Sequence, residues 1–153
     1  MTVQTTSGFL PQATAIAREA GQLLMPFFER RIGYEYKGEA DLVTEADRAS
    51  EQLIVTRLRA AWPHHDIIGE EGTRDAHGSA FRWYVDPLDG TTNFAHGYPV
   101  FCVSMGLECE GQLIAGVIYD PTRDELFAAG GRQIDQWLAT HPDAVSTSVA
   151  GNP

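Results

Sequence analysis

Trp83-Tyr84-Val85-Asp86-Pro87-Leu88-Asp89-Gly90-Thr91-Thr92 is the stretch on which the reading of this chain turns. Phe81 to Val85 has the β-branched and aromatic content of a strand. Pro87 and Gly90 then dictate a turn. Asp86 and Asp89 leave it three residues apart, able to point at one centre, with the Leu88 carbonyl between them as a further oxygen donor. Hard cations such as Mg²⁺ take ligands of this kind. Thr91-Thr92-Asn93 can open a short helix, so the backbone N–H groups near Gly90 and Thr91 face outward, and a helix N-terminus binds phosphate. Alone, an Asp-x-x-Asp-Gly string is more often an ordinary turn whose acids cap backbone groups. The preceding strand, the adjoining threonines and a second acidic pair favour the metal and phosphate reading. That pair, Glu70-Glu71, follows a short apolar strand; by itself it would read as a solvated turn. Asp41 and Asp47 form a third acidic group.

Upstream of this stretch the apolar period is helical. Ala13, Ile16, Ala17, Ala20, Leu23, Leu24, Phe27 and Phe28 recur at three- and four-residue spacing, which predicts an amphipathic helix over Pro11–Arg31, with Ser7 as N-cap and Gly33 as stop. Tyr34 to Asp41 reads as a polar link. Thr44-Glu45-Ala46-Asp47 resembles a capping box opening a second helix. Its stripe is Ala46, Ala49 or Leu53, Ile54, Leu58 and Ala61, and Trp62-Pro63 ends it. From Asp66 the period shortens. Strands are predicted at Asp66–Gly69, Phe81–Val85, Val100–Cys109, Gln112–Tyr119 and Glu125–Ala129, with a tight hairpin at Glu110-Gly111 and a turn over Pro121–Asp124. The expected class is α+β: two N-terminal helices packed on an antiparallel β-meander. Residues 1–130 form the ordered portion in this reading. A divergent, mobile tail, residues 131–153, carries at most a short helix over Ile134–Leu138.

Composition narrows the function classes. The 153 residues favour one domain, and 43% hydrophobic with 21% charged content is ordinary for a globular protein. Eleven Lys and Arg against 21 Asp and Glu give a net charge of −10, which argues against a nucleic-acid partner held through phosphates. It leaves small phosphate substrates open, because a divalent ion on clustered carboxylates inverts the local field. No run is long enough for a membrane span, and the N-terminus lacks a signal-peptide pattern, so the expected location is cytoplasmic. Cys102 and Cys109 read as reduced; on one strand their odd spacing points them to opposite faces. His64, His65, His77, His96 and His141 show no zinc-ligand spacing and read as surface or loop residues.

The chain resembles the inositol monophosphatase family. The similar stretches are Asp41-Leu42-Val43-Thr44-Glu45-Ala46-Asp47, Ile68-Gly69-Glu70-Glu71-Gly72 and Val85 to Phe94. Tyr98-Pro99, Ser104-Met105-Gly106 and Gly116-Val117-Ile118-Tyr119-Asp120-Pro121 also fit, in order, from about Phe9 to Ala129. The resemblance implies the N-terminal part of that family's α/β layered sandwich and a Mg²⁺-dependent phosphomonoesterase using two or three ions. Glu70, Asp86 and the Leu88 carbonyl would bind the first ion, and Asp86 and Asp89 the second. Glu70 and Thr91 would position the attacking water, with Asp47 hydrogen-bonded to Thr91. The Gly90 and Thr91 amides, beside Leu88, would hold the phosphate. Lys37 matches a family lysine near the site, and Glu71 would support the shell. The implied substrate is inositol monophosphate or a similar polyol or sugar phosphate; a homodimer is the implied assembly, with neither nucleic acid nor membrane as partner.

The family pattern goes further than this chain. Its second half carries a Trp-Asp-x-Ala-Ala-Gly-type motif, whereas Trp137 here is followed by Leu138. The departure begins near Gly130 and has two accounts, a fragment or a shortened reading frame shifted after Gly130. The alternative function is accordingly a truncated member, weak or inactive in catalysis, that binds metal only. Histidinol phosphate, fructose bisphosphate and adenosine bisphosphates are the substrates of related families.

Overall fold

The computed structural model describes residues 8–33 and 39–140. Two long helices come first, α1 (Leu10–Gly33) and α2 (Glu39–Ala61). They are followed by β1 (Asp66–Gly69), β2 (Arg74–Asp75), β3 (Phe81–Asp89), the short α3 (Thr91–Ala95), β4 (Cys102–Cys109), β5 (Gln112–Asp120), β6 (Glu125–Gly130) and α4 (Arg132–Thr140). The strands form one sheet in the order β2-β1-β3-β4-β5-β6.

The apolar periods account for the layering. On α1 the stripe Ala13, Ile16, Ala17, Ala20, Leu24 and Phe28 is buried, and on α2 Ala46, Ile54, Val55 and Leu58 are. Across the sheet Trp83, Val85, Val103, Met105, Leu107, Ala115, Val117 and Tyr119 alternate inward and join the same core. Both helices thus cover one sheet face, α1 over β4 to β6 and α2 over β3. Tyr84, Leu113, Ile118 and Phe127 are exposed. No helix among the described residues is long and apolar enough to cross a membrane.

The α+β class holds, with differences at the joins. The sheet is mixed: β1 runs parallel to β3, with Gly69 opposite Val85, while the other pairings are antiparallel. The two-residue β2 turns the chain back and carries too little apolar signal to be read beforehand. It is tied to α2 by a two-pronged pair between Arg59 and Asp75, at 2.6 and 2.7 Å. α2 begins at Glu39, so Thr44 lies inside the helix and the capping box at Thr44–Asp47 is not its start. β3 runs through Pro87 to Asp89 rather than stopping at Val85, and β4 starts at Cys102 rather than Val100.

His65 lies in the bend between α2 and β1, a loop position as expected, but half-buried there. It stacks on Trp62 and Phe81, and its Nδ1 accepts the Trp83 indole N–H at 3.0 Å. Cys102 and Cys109 are free thiols. The short helix expected near Ile134 is α4; its Ile134 is buried, and Gly131 N–H donates to the Ile114 carbonyl at 2.8 Å. Residues 141–153 of the expected tail, with His141, lie outside the described residues, as do Ser7, Lys37 and most of the Tyr34–Asp41 link.

Candidate active site

The parallel pairing of β1 and β3 creates the site. With Gly69 opposite Val85, the next residues along, Glu70 just past the end of β1 and Asp86 within β3, come side by side. Glu70 N–H donates to the Val85 carbonyl at 3.1 Å and so continues the ladder. The crevice outside the carboxyl ends of parallel strands is where α/β sheets bind ligands.

A bulge brings in Asp89. Asp86 pairs with Ser104 and Asp89 with Cys102, so three steps on β3 match two on β4. Residues three apart on a regular strand face opposite ways; the extra residue cancels that alternation and turns Asp89 toward the side of Asp86. Pro87 is tolerated within a strand because it sits in this bulge. Leu88 anchors the bulge through a side chain 1% exposed, and its N–H donates to Asp86 Oδ1 at 3.3 Å.

Gly90 then reverses the chain with φ 93°, in the left-handed region, and caps α3. A Cβ there would stand 2.9 Å from the Val100 carbonyl oxygen, too close for any other residue. The Asn93 amide donates to that same carbonyl at 2.9 Å and fixes the turn from the far side. Thr91, the first residue of α3, is exposed.

The third wall is α2. Asp47, Ser50 and Glu51 fall on one helical face, three and four residues apart, and all are buried. Ser50 Oγ donates to the Pro87 carbonyl at 2.7 Å. Glu51 accepts from the Glu71 N–H and the Thr73 hydroxyl.

Electrostatics single out the same groups. Burial, then the Glu70 carboxyl beside it and then Asp89 push the Asp86 side chain up to about 8. Burial, followed by the charges of Glu71, Glu70 and Glu51, pushes Asp47 up to about 7. Cys102, whose Sγ lies 3.8 Å from Asp89 Oδ2, is raised to about 12 by burial and then by Asp89 and Asp86. Among the described residues no ion pair with Lys or Arg reaches Glu70, Asp86 or Asp89. Carboxyls gathered with no ion-paired Lys or Arg among the described residues, and offering hard oxygen atoms, fit a divalent ion. No three His, Cys, Asp or Glu side chains among the described residues enclose a ready-made cage. Mg²⁺ is commonly held without one, by one or two carboxylates together with water and phosphate.

A model of the inositol monophosphatase family matches residues 6–146. The chain belongs to this family. It is 46% identical over 126 residues to inositol monophosphatase 2 of Solanum lycopersicum, covering 79% of this chain and 48% of that protein. It is 47% identical over 122 residues to the Nus factor SuhB of Pseudomonas aeruginosa, covering 76% and 45%. Among solved structures, the inositol monophosphatase from Anabaena (Nostoc) superposes with a TM-score of 0.69 at 41% identity, covering 81% of this chain and 44% of that one. The SuhB protein of Bartonella henselae gives 0.71 at 39% identity, covering 80% and 48%. The chain spans about half the length of these family members.

Of the residues expected at the site, Glu70, Asp86, Leu88, Asp89, Gly90 and Thr91 lie on one continuous corner, with Asp47 behind Glu70 and Glu71. Asp47 is buried on α2 and Thr91 is exposed at the start of α3, and among the described residues no hydrogen bond between them is seen. Asp41 belongs to α2 by its backbone. Ser50 and Glu51 were not read from the sequence as site residues. Their signal was present, since positions three and four after Asp47 share its face of the helix.

Proposed function

We propose that the chain forms the cation- and phosphate-binding part of a Mg²⁺-dependent phosphomonoesterase acting on inositol monophosphate or a similar polyol or sugar phosphate. The observation that carries this reading is the joint effect of the parallel β1–β3 register and the β3 bulge. Together they gather Glu70, Asp86 and Asp89 beside the Gly90–Thr91 turn.

Glu70, Asp86 and the Leu88 carbonyl would hold one ion, and Asp86 with Asp89 a second. The ions, when bound, would acidify water and neutralise charge on the phosphate. The chain's own residues do the positioning, which is most of what phosphoryl transfer requires. The Gly90 and Thr91 N–H groups, at the open end of α3, would receive phosphate oxygens. The Glu70 carboxylate and the Thr91 hydroxyl would orient the attacking water, and Glu70 would take its proton. Asp47, raised to about 7, is protonated in part near neutral pH, which lowers the negative charge beside Glu70. No covalent nucleophile is needed: Cys102, the thiol next to the site, is held protonated beside Asp89.

Phosphate release from inositol 1-phosphate with Mg²⁺ tests the reading. The expected result is release by the wild-type chain and a loss of at least about a hundredfold in Asp86→Asn. The competing outcome is cation binding without turnover. Wild-type release no greater than a buffer blank, with cation binding retained, would select it.

A further inference from the structure

Glu51 takes no part in the chemistry above, yet it is 5% exposed and both its oxygens are used on one loop. We propose that Glu51 is a positioning residue, which clamps the Glu70–Thr73 corner to α2 and thereby sets Glu70 beside Asp86. A buried carboxylate persists only where hydrogen bonds replace the water it has lost. Here Oε1 accepts the Glu71 N–H at 2.9 Å and Oε2 accepts the Thr73 hydroxyl at 3.0 Å. Those donors flank Gly72, where the chain turns with φ 113°. Gly69, directly before Glu70, lies flat against the same carboxylate: a Cβ there would stand 2.1 Å from Oε1. The Glu70 backbone is therefore bounded on one side by its bond to Val85 and on the other by Glu51.

The neighbouring helix residue completes the clamp. Ser50, fully buried, holds the Pro87 carbonyl at 2.7 Å, next to Asp86. Adjacent residues of one rigid helix thus fix both acidic corners. Rigidity of α2 thus becomes a fixed spacing between the two corners that carry Glu70 and Asp86. Groups that orient metal ligands commonly change metal affinity ten- to a hundredfold when removed.

This inference rests on the cation site proposed above, and two readouts separate their failures. One is calorimetric titration of Mn²⁺ into the chain; the other is hydrogen exchange at the Glu71 amide, which needs no cation. In Glu51→Ala the Glu71 amide should lose protection and Mn²⁺ affinity should fall about tenfold, with near-UV circular dichroism unchanged. Glu51→Gln keeps an acceptor for Glu71 and sets its amide against a hydroxyl that can accept, so its affinity should stay within about threefold of wild type. Wild-type protection and affinity in Glu51→Ala would overturn the clamp. So would a Glu51→Gln as weak as Glu51→Ala, which would assign the effect to charge. If wild type binds no Mn²⁺, the cation reading fails and the Glu71 exchange rates alone decide the clamp. If Glu51→Ala does not fold, Thr73→Val replaces it. Removing that one donor should weaken Mn²⁺ binding about threefold and reduce Glu71 protection, and no change in either overturns the proposal.

Discussion

At Asp86 the cost of the site is visible in a single side chain. Burial, the Glu70 carboxyl and Asp89 raise it to about 8, so the folded protein holds a proton that the unfolded chain releases near its ordinary carboxylate value. The folded state therefore binds more protons across that window, and the cation-free protein loses stability as pH rises through it. Asp86→Asn should melt higher than wild type at pH 8 without cation, match it near pH 4, and gain nothing from Mn²⁺. A variant melting below wild type at pH 8 would contradict this account. His65 works in the other sense. Burial holds it below the ordinary imidazole value, against the pull of Asp66. Its contribution is present above about pH 6.5 and is lost as pH falls through the lowered folded value, because the unfolded chain takes up the proton first. His65→Phe leaves the Trp83 indole N–H without its acceptor, in a side chain 1% exposed. It should cost about 1 kcal/mol at pH 8 and flatten the stability change between pH 7 and 5, as read by urea unfolding.

Among the elements, those with strong periodicity were legible and those set by long-range pairing were not. The stripe from Ala13 to Phe28 and the alternation through β4 and β5 emerge where the residues place them. The direction of β1 was hidden, because Ile67-Ile68 signals a strand but not which neighbour it joins or which way it runs. The hairpin that allows the parallel join has a return strand of only two residues. The sequence marks Asp86 and Asp89 as a unit, but as a turn. What unites the two acids is a bulge, set by the β4 register rather than by Pro87 and Gly90 alone. Gly90 was read correctly as a turn residue, and its structure gives the reason: a positive φ with the Val100 carbonyl against it. Gly90→Ala should cost about 2 kcal/mol in urea unfolding, and a cost near zero would mean that the turn is not held as described.

For the whole molecule, the helices close one sheet face, and the acidic corner lies at the strand ends where β1 and β3 run side by side. The other face is an open groove of about 850 Å³ that reaches from Glu70 and Asp86 past Tyr84 and Ile118 to Phe127. Helix, helix, sheet could be read as an order of elements, and family membership followed from short strings at fixed spacing. Helical spacing puts Ser50 and Glu51 on the face of Asp47, but what each holds is not in the spacing, because a buried polar residue acquires its role from what it touches. If register and bulge make Glu70, Asp86 and Asp89 one divalent-cation site, Asp86 is indispensable to it. Calorimetric titration of Mn²⁺ into wild type and Asp86→Asn tests it most directly. Saturable binding heat is expected in wild type and should disappear in Asp86→Asn. No heat in wild type, or equal heat in both, would contradict it.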